Sequence, residues 1–289
     1  MPLSVNRNAA AAVDEAAVDE AAVDGHAVDG PAVDRHAVDT HGSRLIDRLW
    51  PARCLVCGER GQAQRDLCGA CARSLPWNRS ACLRCAMPLP ASPGATSATV
   101  CGDCLRHPPP LAQAHAAFVY ARPLDRLLPR LKFHGDLAAG RLLAQLALDA
   151  FVACDRPDAL LAIPLHRDRL RARGYDQALE LARPLARALR LPLHQDVLVR
   201  LRATAPQSRL PASQRRRNLR GAFSIAKGAK ALPAHVVLID DVMTTGATLH
   251  AAAKALRRAG VERIDAWICA RAVAVASSRL REKEARSAG

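Results

Sequence analysis

From residue 111 onward the apolar positions fall into two alternating textures. Short unbroken runs at 116–120, 159–163 and 236–239, with a run at 264–269 interrupted by Asp265, read as strands, and 197–201 reads as extended. Between them, stretches with apolar residues three and four apart predict helices at 124–133, 137–153, 176–189 and 247–259. Strands that alternate with helices predict an α/β fold built on a parallel sheet with right-handed connections. The run Val236-Val237-Leu238-Ile239 has no polar break, so it is expected to be central, covered on both faces. Earlier in the chain the texture is different. From Ala12 to His41 the unit Ala-Val-Asp-x-x repeats six times, a period that suits neither a helix face nor a strand face. The repeat offers too little apolar surface to offset the entropy of ordering, so residues 1–42 are expected to be disordered. Leu45, Ile46, Leu49 and Trp50 predict a short amphipathic helix stopped by Pro51, and the charged tail 275–289 is expected to fray.

Composition adds a charge asymmetry. The chain of 289 residues carries a net +15, yet residues 1–41 contribute −6, which leaves the remainder at +21. So basic a body fits polyanionic partners, nucleic acid or phosphorylated substrates, although an Arg- and Ala-rich genome would raise the same counts. No apolar run is long enough for a membrane span, and no signal peptide opens the sequence, so a cytoplasmic protein is expected.

In that setting ten cysteines are metal ligands before they are disulfides. Eight form four CxxC pairs: Cys54 and Cys57, Cys68 and Cys71, Cys82 and Cys85, Cys101 and Cys104. Each pair places two thiolates on one tight turn, and two turns complete a tetrahedral site, so two structural zinc ions are expected in a small double ribbon over 43–107. Sequential pairing is the simplest arrangement, and spacing alone leaves an interleaved one open. Cys154 and Cys269 stand among apolar neighbours as ordinary core residues.

The strand at 236–239 leads into Asp240-Asp241-Val242-Met243-Thr244-Thr245-Gly246-Ala247-Thr248. Ligands of open parallel sheets bind beyond the carboxyl ends of the strands, and a helix N-terminus offers unpaired N–H groups to an anion. Gly246 permits close approach of the backbone, and the threonines add hydroxyl donors. Two adjacent carboxylates repel a phosphate, so they suit sugar hydroxyls beside it, and phosphate with a vicinal diol describes a ribose 5-phosphate. After the 159–163 strand, Arg167, Arg169, Arg171 and Arg173 alternate along a segment read as a loop, a cationic lip on the same sheet edge. A second irregular stretch, 201–221, holds Thr204, Gln207, Arg215, Arg216, Arg217 and Asn218 and has the length of a lid. Gly135 to Leu142 mimics half a P-loop but lacks its Lys-Ser/Thr.

The Asp240-Asp241 and Thr244-Thr245-Gly246-Ala247-Thr248 stretch resembles the phosphoribosyl pyrophosphate (PRPP) motif of type I phosphoribosyltransferases. Four further features occur in order with it: the CxxC-rich region, Leu131-Lys132-Phe133-His134-Gly135-Asp136, the 164–177 segment, and the Gln207 and Arg215–Asn218 loop. Together they resemble the ComF family, a double zinc ribbon fused to a phosphoribosyltransferase-like domain and associated with natural transformation. The resemblance spans roughly 44–272. It implies a phosphoribosyltransferase-like domain over 111–274 that binds PRPP with magnesium. Asp240 and Asp241 would meet the ribose hydroxyls, and Thr244, Thr245, Gly246, Ala247 and Thr248 the 5-phosphate. Leu165, His166 and Arg167, with Arg171 and Arg173, would meet pyrophosphate. Two functions are implied: handling of incoming single-stranded DNA alongside other competence proteins, or transfer of ribosyl 5-phosphate to an unidentified nucleophile. Purine-type relatives carry an Asp base where this chain has Thr244, which argues against purine salvage. With nine aromatic residues in the chain, a DNA grip would be mainly electrostatic.

Overall fold

The structure is a computed structural model, describing residues 52–62, 65–90, 99–202, 221–229 and 232–273. The repeat at 1–42, the helix expected at 45–50, the lid residues Thr204, Gln207, Arg215, Arg216, Arg217 and Asn218, and the 275–289 tail lie outside the described residues.

Five strands form one parallel sheet: β1 (Ala114–Val119), β2 (Ala159–Ala162), β3 (Leu193–His194), β6 (His235–Met243) and β7 (Arg263–Arg271), in the order β1-β7-β6-β2-β3. A separate antiparallel pair, β4 (Leu198–Arg200) and β5 (Phe223–Ile225), lies between β3 and β6 in sequence. β6 is central, as its apolar run requires. Val237 and Ile239 pack with α3 (Leu124–Phe133), α4 (Leu137–Phe151) and α6 (Gln177–Leu189), whereas Val236 and Leu238 pack with α7 (Ala247–Arg258) and the β4-β5 pair. On the first face the Phe151 and Trp267 rings stack with centroids 5.0 Å apart.

Strand order reverses between β2 and β6. From β2 the chain moves outward to β3, and from β6 it moves the other way to β7. The carboxyl ends of β2 and β6 therefore splay apart into the crevice where open α/β sheets bind ligands.

Two expectations need correction. β6 does not stop at Ile239. Its ladder continues through Asp240↔Ile268, Val242↔Ala270 and Met243↔Arg271, so the acidic pair lies inside the strand. Backbone pairing is indifferent to side-chain charge wherever the charge finds partners. The segment carrying the four arginines is likewise not an irregular lip but α5 (Arg167–Arg173), started by His166 and ended by Gly174 at φ 84°.

The cysteine-rich region precedes the sheet and closes one of its edges. Its chain from Pro76 to Asn78 runs antiparallel to β1, with Val119 N–H donating to the Pro76 carbonyl (2.8 Å) and Asn78 N–H to that of Ala117 (3.0 Å). Trp77 packs on Phe118 at 4.6 Å between centroids. The region's own short helices are α1 (Gly69–Arg73) and α2 (Gly102–Arg106). Among the described residues no helix is long and apolar enough to cross a membrane.

Candidate ligand cleft and metal centres

The cysteines assemble in sequential pairs. The sulfurs of Cys54, Cys57, Cys68 and Cys71 lie within 4.8 Å of one another, and so do those of Cys82, Cys85, Cys101 and Cys104. Each quartet joins a tight turn, 54–57 or 82–85, to the first turn of α1 or α2, where Cys71 N–H approaches Cys68 Sγ at 3.5 Å and Cys101 N–H approaches Cys82 Sγ at 3.2 Å. Tetrahedral zinc with Zn–S near 2.3 Å requires sulfurs about 3.8 Å apart. The separations are 3.6 Å for Cys57 and Cys68 and 3.8 Å for Cys85 and Cys101. Thiol acidities describe the same crowding. Burial opposes the Cys54 thiolate, but backbone N–H donors outweigh it and hold the pKa to about 6, whereas burial and its neighbours push Cys85 up to about 11. Four thiolates share so small a space only around a cation, so donor set and spacing both fit structural zinc.

A cleft of about 870 Å³ opens at the carboxyl edge of the sheet. Its floor is the acidic pair, Asp240 9% and Asp241 3% exposed. Lys132, at the end of α3, reaches over to Asp241, Nζ to Oδ2 2.7 Å. Burial works against the Lys132 ammonium, but the charge of Asp241 more than compensates and raises its pKa. The Asp240 carboxylate is poorly stabilised. Burial and the adjacent Asp241 push its carboxyl well above the usual range, opposed by Lys132. Buried Arg200, lying 5.5 Å over the Phe223 ring, adds a second positive charge nearby. A floor of this kind is stabilised by an added cation or by hydroxyl donors.

The wall after β6 is the Thr-Gly turn. Thr244 and Thr248 line the cleft, Ala247 N–H donates to Thr245 Oγ1 at 3.4 Å, and the N-cap residue of α7, Gly246, brings no side chain of its own. Gly246 has φ 74°, and a Cβ there would stand 2.5 Å from Met243 Cε and 2.9 Å from His250 Nε2. The left-handed backbone and the crowding by these two side chains both favour glycine here.

The opposite wall follows β2. Leu165 lines the cleft, but its N–H already donates to Asp176 Oδ2 (2.8 Å), and Asp176 also caps α6 through Ala178 and Leu179. His166 is spent on starting α5, accepting from Asp168 N–H at 3.3 Å. Residues four apart on a helix share a face. Arg169 and Arg173 line the cleft together, whereas Arg167 and Arg171 are exposed and outside it. The alternate-position reading of the arginines thus counted two that the helix turns away. Arg173 lies 5.6 Å over the ring of Phe133, which is 70% exposed at the mouth. Lys132, Tyr120, Tyr175 and Arg200 also line the cleft, none of them assigned a role from sequence. Lys132 and Tyr175 stood in stretches already singled out, 131–136 and 164–177.

A parallel sheet with an acidic pair and a Thr-Gly turn at its switch point, preceded by two quartets of cysteines, defines the class: a double zinc ribbon joined to a phosphoribosyltransferase domain. Family models agree, the double zinc ribbon domain matching residues 45–114 and the phosphoribosyl transferase domain matching 176–287. Competence protein F of Haemophilus influenzae is 36% identical over 231 residues, covering 76% of this chain and 97% of the relative. DNA utilization protein YhgH of Salmonella typhimurium is 34% identical, covering 71% and 90%, and competence protein ComFC of Bacillus subtilis is 33% identical, covering 56% and 67%. The chain belongs to the ComF family.

Proposed function

We propose that the cleft binds PRPP with magnesium and that the protein serves natural transformation in the cytoplasm, handling incoming single-stranded DNA. Residues 43–107 act as the ribbon and 111–274 as the phosphoribosyltransferase-like domain. The observation that carries this reading is the buried Asp240-Asp241 floor beside the Thr244–Thr248 turn, with Gly246 at φ 74°. The turn suits a 5-phosphate, the acids suit the ribose hydroxyls, and Arg169 and Arg173 face them as pyrophosphate ligands. Magnesium carried on the pyrophosphate would supply positive charge where Asp240 is poorly compensated. The relatives named for competence and DNA utilization support the biological setting, and ten free cysteines fit a reducing compartment.

Calorimetry with freshly prepared PRPP is expected to show binding that requires magnesium. Asp241→Asn should weaken it about tenfold, the worth of a charge-assisted hydrogen bond. Equal heats with the variant, or none with the wild type, would remove the basis for the reading. Transfer to a nucleophile remains the second reading, favoured by a cleft roomy enough for an acceptor, and release of pyrophosphate under the same conditions reports it directly.

The two faces of α5 separate the DNA prediction from the PRPP one. Single-strand affinity should fall steeply with salt and depend little on base composition, since phosphate contacts release counterions. Arg171→Ala, on the solvent face, should lower DNA affinity and the salt slope while sparing PRPP, whereas Arg173→Ala should lower both. A salt-insensitive interaction would contradict the phosphate-led mode.

A further inference from the structure

Each cysteine quartet is tied to one wall of the cleft by an arginine. Arg271 ends β7, is 5% exposed, and reaches in two directions. Its Nε donates to the Cys85 carbonyl at 2.8 Å, and its Nη1 to the carbonyls of Met243 at 3.0 Å and Thr244 at 2.5 Å. Cys85 belongs to the second quartet, and Met243 and Thr244 are the last residues before the Thr245-Gly246 turn. Arg130 repeats the arrangement at the first quartet. Its Nη1 donates to the Leu55 carbonyl, inside the 54–57 turn, at 2.5 Å. Its Nε and Nη2 hold Asp136 Oδ2 at 2.7 and 2.6 Å. Asp136 follows Gly135 of the cleft wall and caps α4 through Ala139 N–H.

A guanidinium presents its donors in one rigid plane, so the acceptors it joins are held at fixed separations. The sheet's own ladder ends at Met243, whose carbonyl receives Ala272 N–H at 2.9 Å, and the Thr244 carbonyl beyond it accepts from Arg271 Nη1. The Cys82–Cys85 turn at the other end takes its shape from the metal it encloses. Burying a cation at position 271 also costs desolvation that an apolar residue would avoid, so an arginine there fits a task other than packing. We propose that Arg271 is a positioning residue that transmits the metal-set shape of the second quartet to the Thr244–Thr248 turn, with Arg130 transmitting the first quartet to the 134–136 wall. The proposal rests on the PRPP reading only for the identity of the ligand that the walls receive.

Amide hydrogen exchange of the full-length chain without ligand tests it, comparing zinc-loaded with chelator-treated protein and using α6 as the internal reference. In the wild type, removal of zinc is expected to speed exchange at 244–248 about tenfold, the loss of one charge-assisted hydrogen bond. Arg271→Met should show the fast rate while metal analysis still returns both zinc ions, and chelation should then add nothing. Arg271→Lys keeps the charge but not the two-directional fork, and should also be fast. Exchange in the wild-type turn that ignores zinc, or slow exchange in zinc-loaded Arg271→Met, overturns the proposal. Should Arg271→Met fail to fold, the wild-type comparison decides alone. With no ligand in the experiment, a failure of PRPP binding leaves the result readable.

Discussion

Metal analysis of the purified chain will return two zinc ions, and Cys82→Ser will return one and unfold the second half of the ribbon. Few apolar side chains in the region are fully buried, Leu67, Leu75 and Ala86 among them. Modules of this size, below about 40 residues per half, ordinarily need metals or disulfides to fold. Each quartet is instead a cluster of free thiols whose sulfurs already stand at tetrahedral separation. Structural zinc supplies an apparent ~10–16 kcal/mol to such peptides at neutral pH, more than any other single term in the ribbon. Cys82 is 1% exposed, so the serine variant leaves three thiols with no shared cation. The measurement is elemental analysis paired with near-UV circular dichroism. Iron in place of zinc, or a folded ribbon with no metal, would refute the assignment.

Gly246→Ala is expected to distort the Thr244–Thr248 turn while leaving the sheet intact. Its Cβ would enter at 2.5 Å from Met243 Cε, with His250 Nε2 at 2.9 Å, from a backbone at φ 74°. The left-handed conformation costs an L-residue about 1 kcal/mol or more, and forcing a methyl into filled space adds roughly 1–3 kcal/mol. Met243 Cε and His250 Nε2 are side-chain ends that can give way, so the left-handed backbone carries most of the strain, and PRPP affinity should drop about tenfold. Gly228→Ala is the control, since φ is 76° there but nothing stands within 4 Å. It should lower the melting temperature slightly and leave binding untouched. Equal loss in both variants would trace the effect to backbone strain alone.

What the chain order disclosed depended on how local each determinant was. Helix α3 was legible to both ends because its apolar spacing and the Gly135 that follows it are neighbours in sequence. Helix α5 was equally local, with His166, Asp168 in the first turn and Gly174 just beyond, but the alternating arginines drew attention away from those caps. Strand β3 has two residues and β5 three, too few to show a period. The acidic pair and its turn were visible as a contiguous motif, and so were the cysteine pairs, though their pairing into quartets was settled only by folding. Lys132 could be seen, but its partner Asp241 could not, because their ion pair joins the end of α3 to β6. Arg271 and Arg130 were harder still. Apart from Asp136, their acceptors are backbone carbonyls, which every residue possesses, so no residue type marks them.

The pairing of Pro76–Asn78 with β1 has a consequence for the behaviour of the chain in solution. β1 is a sheet edge, and an uncovered edge is a template on which another copy can add a strand. The opposite edge, β3, is too short to serve that way. The ribbon is thus also a guard against self-association, and its zinc ions hold the guard closed. Losing the metal would free that strand as well as loosen the turn, so crowded, zinc-starved protein would tend to add copies edge to edge.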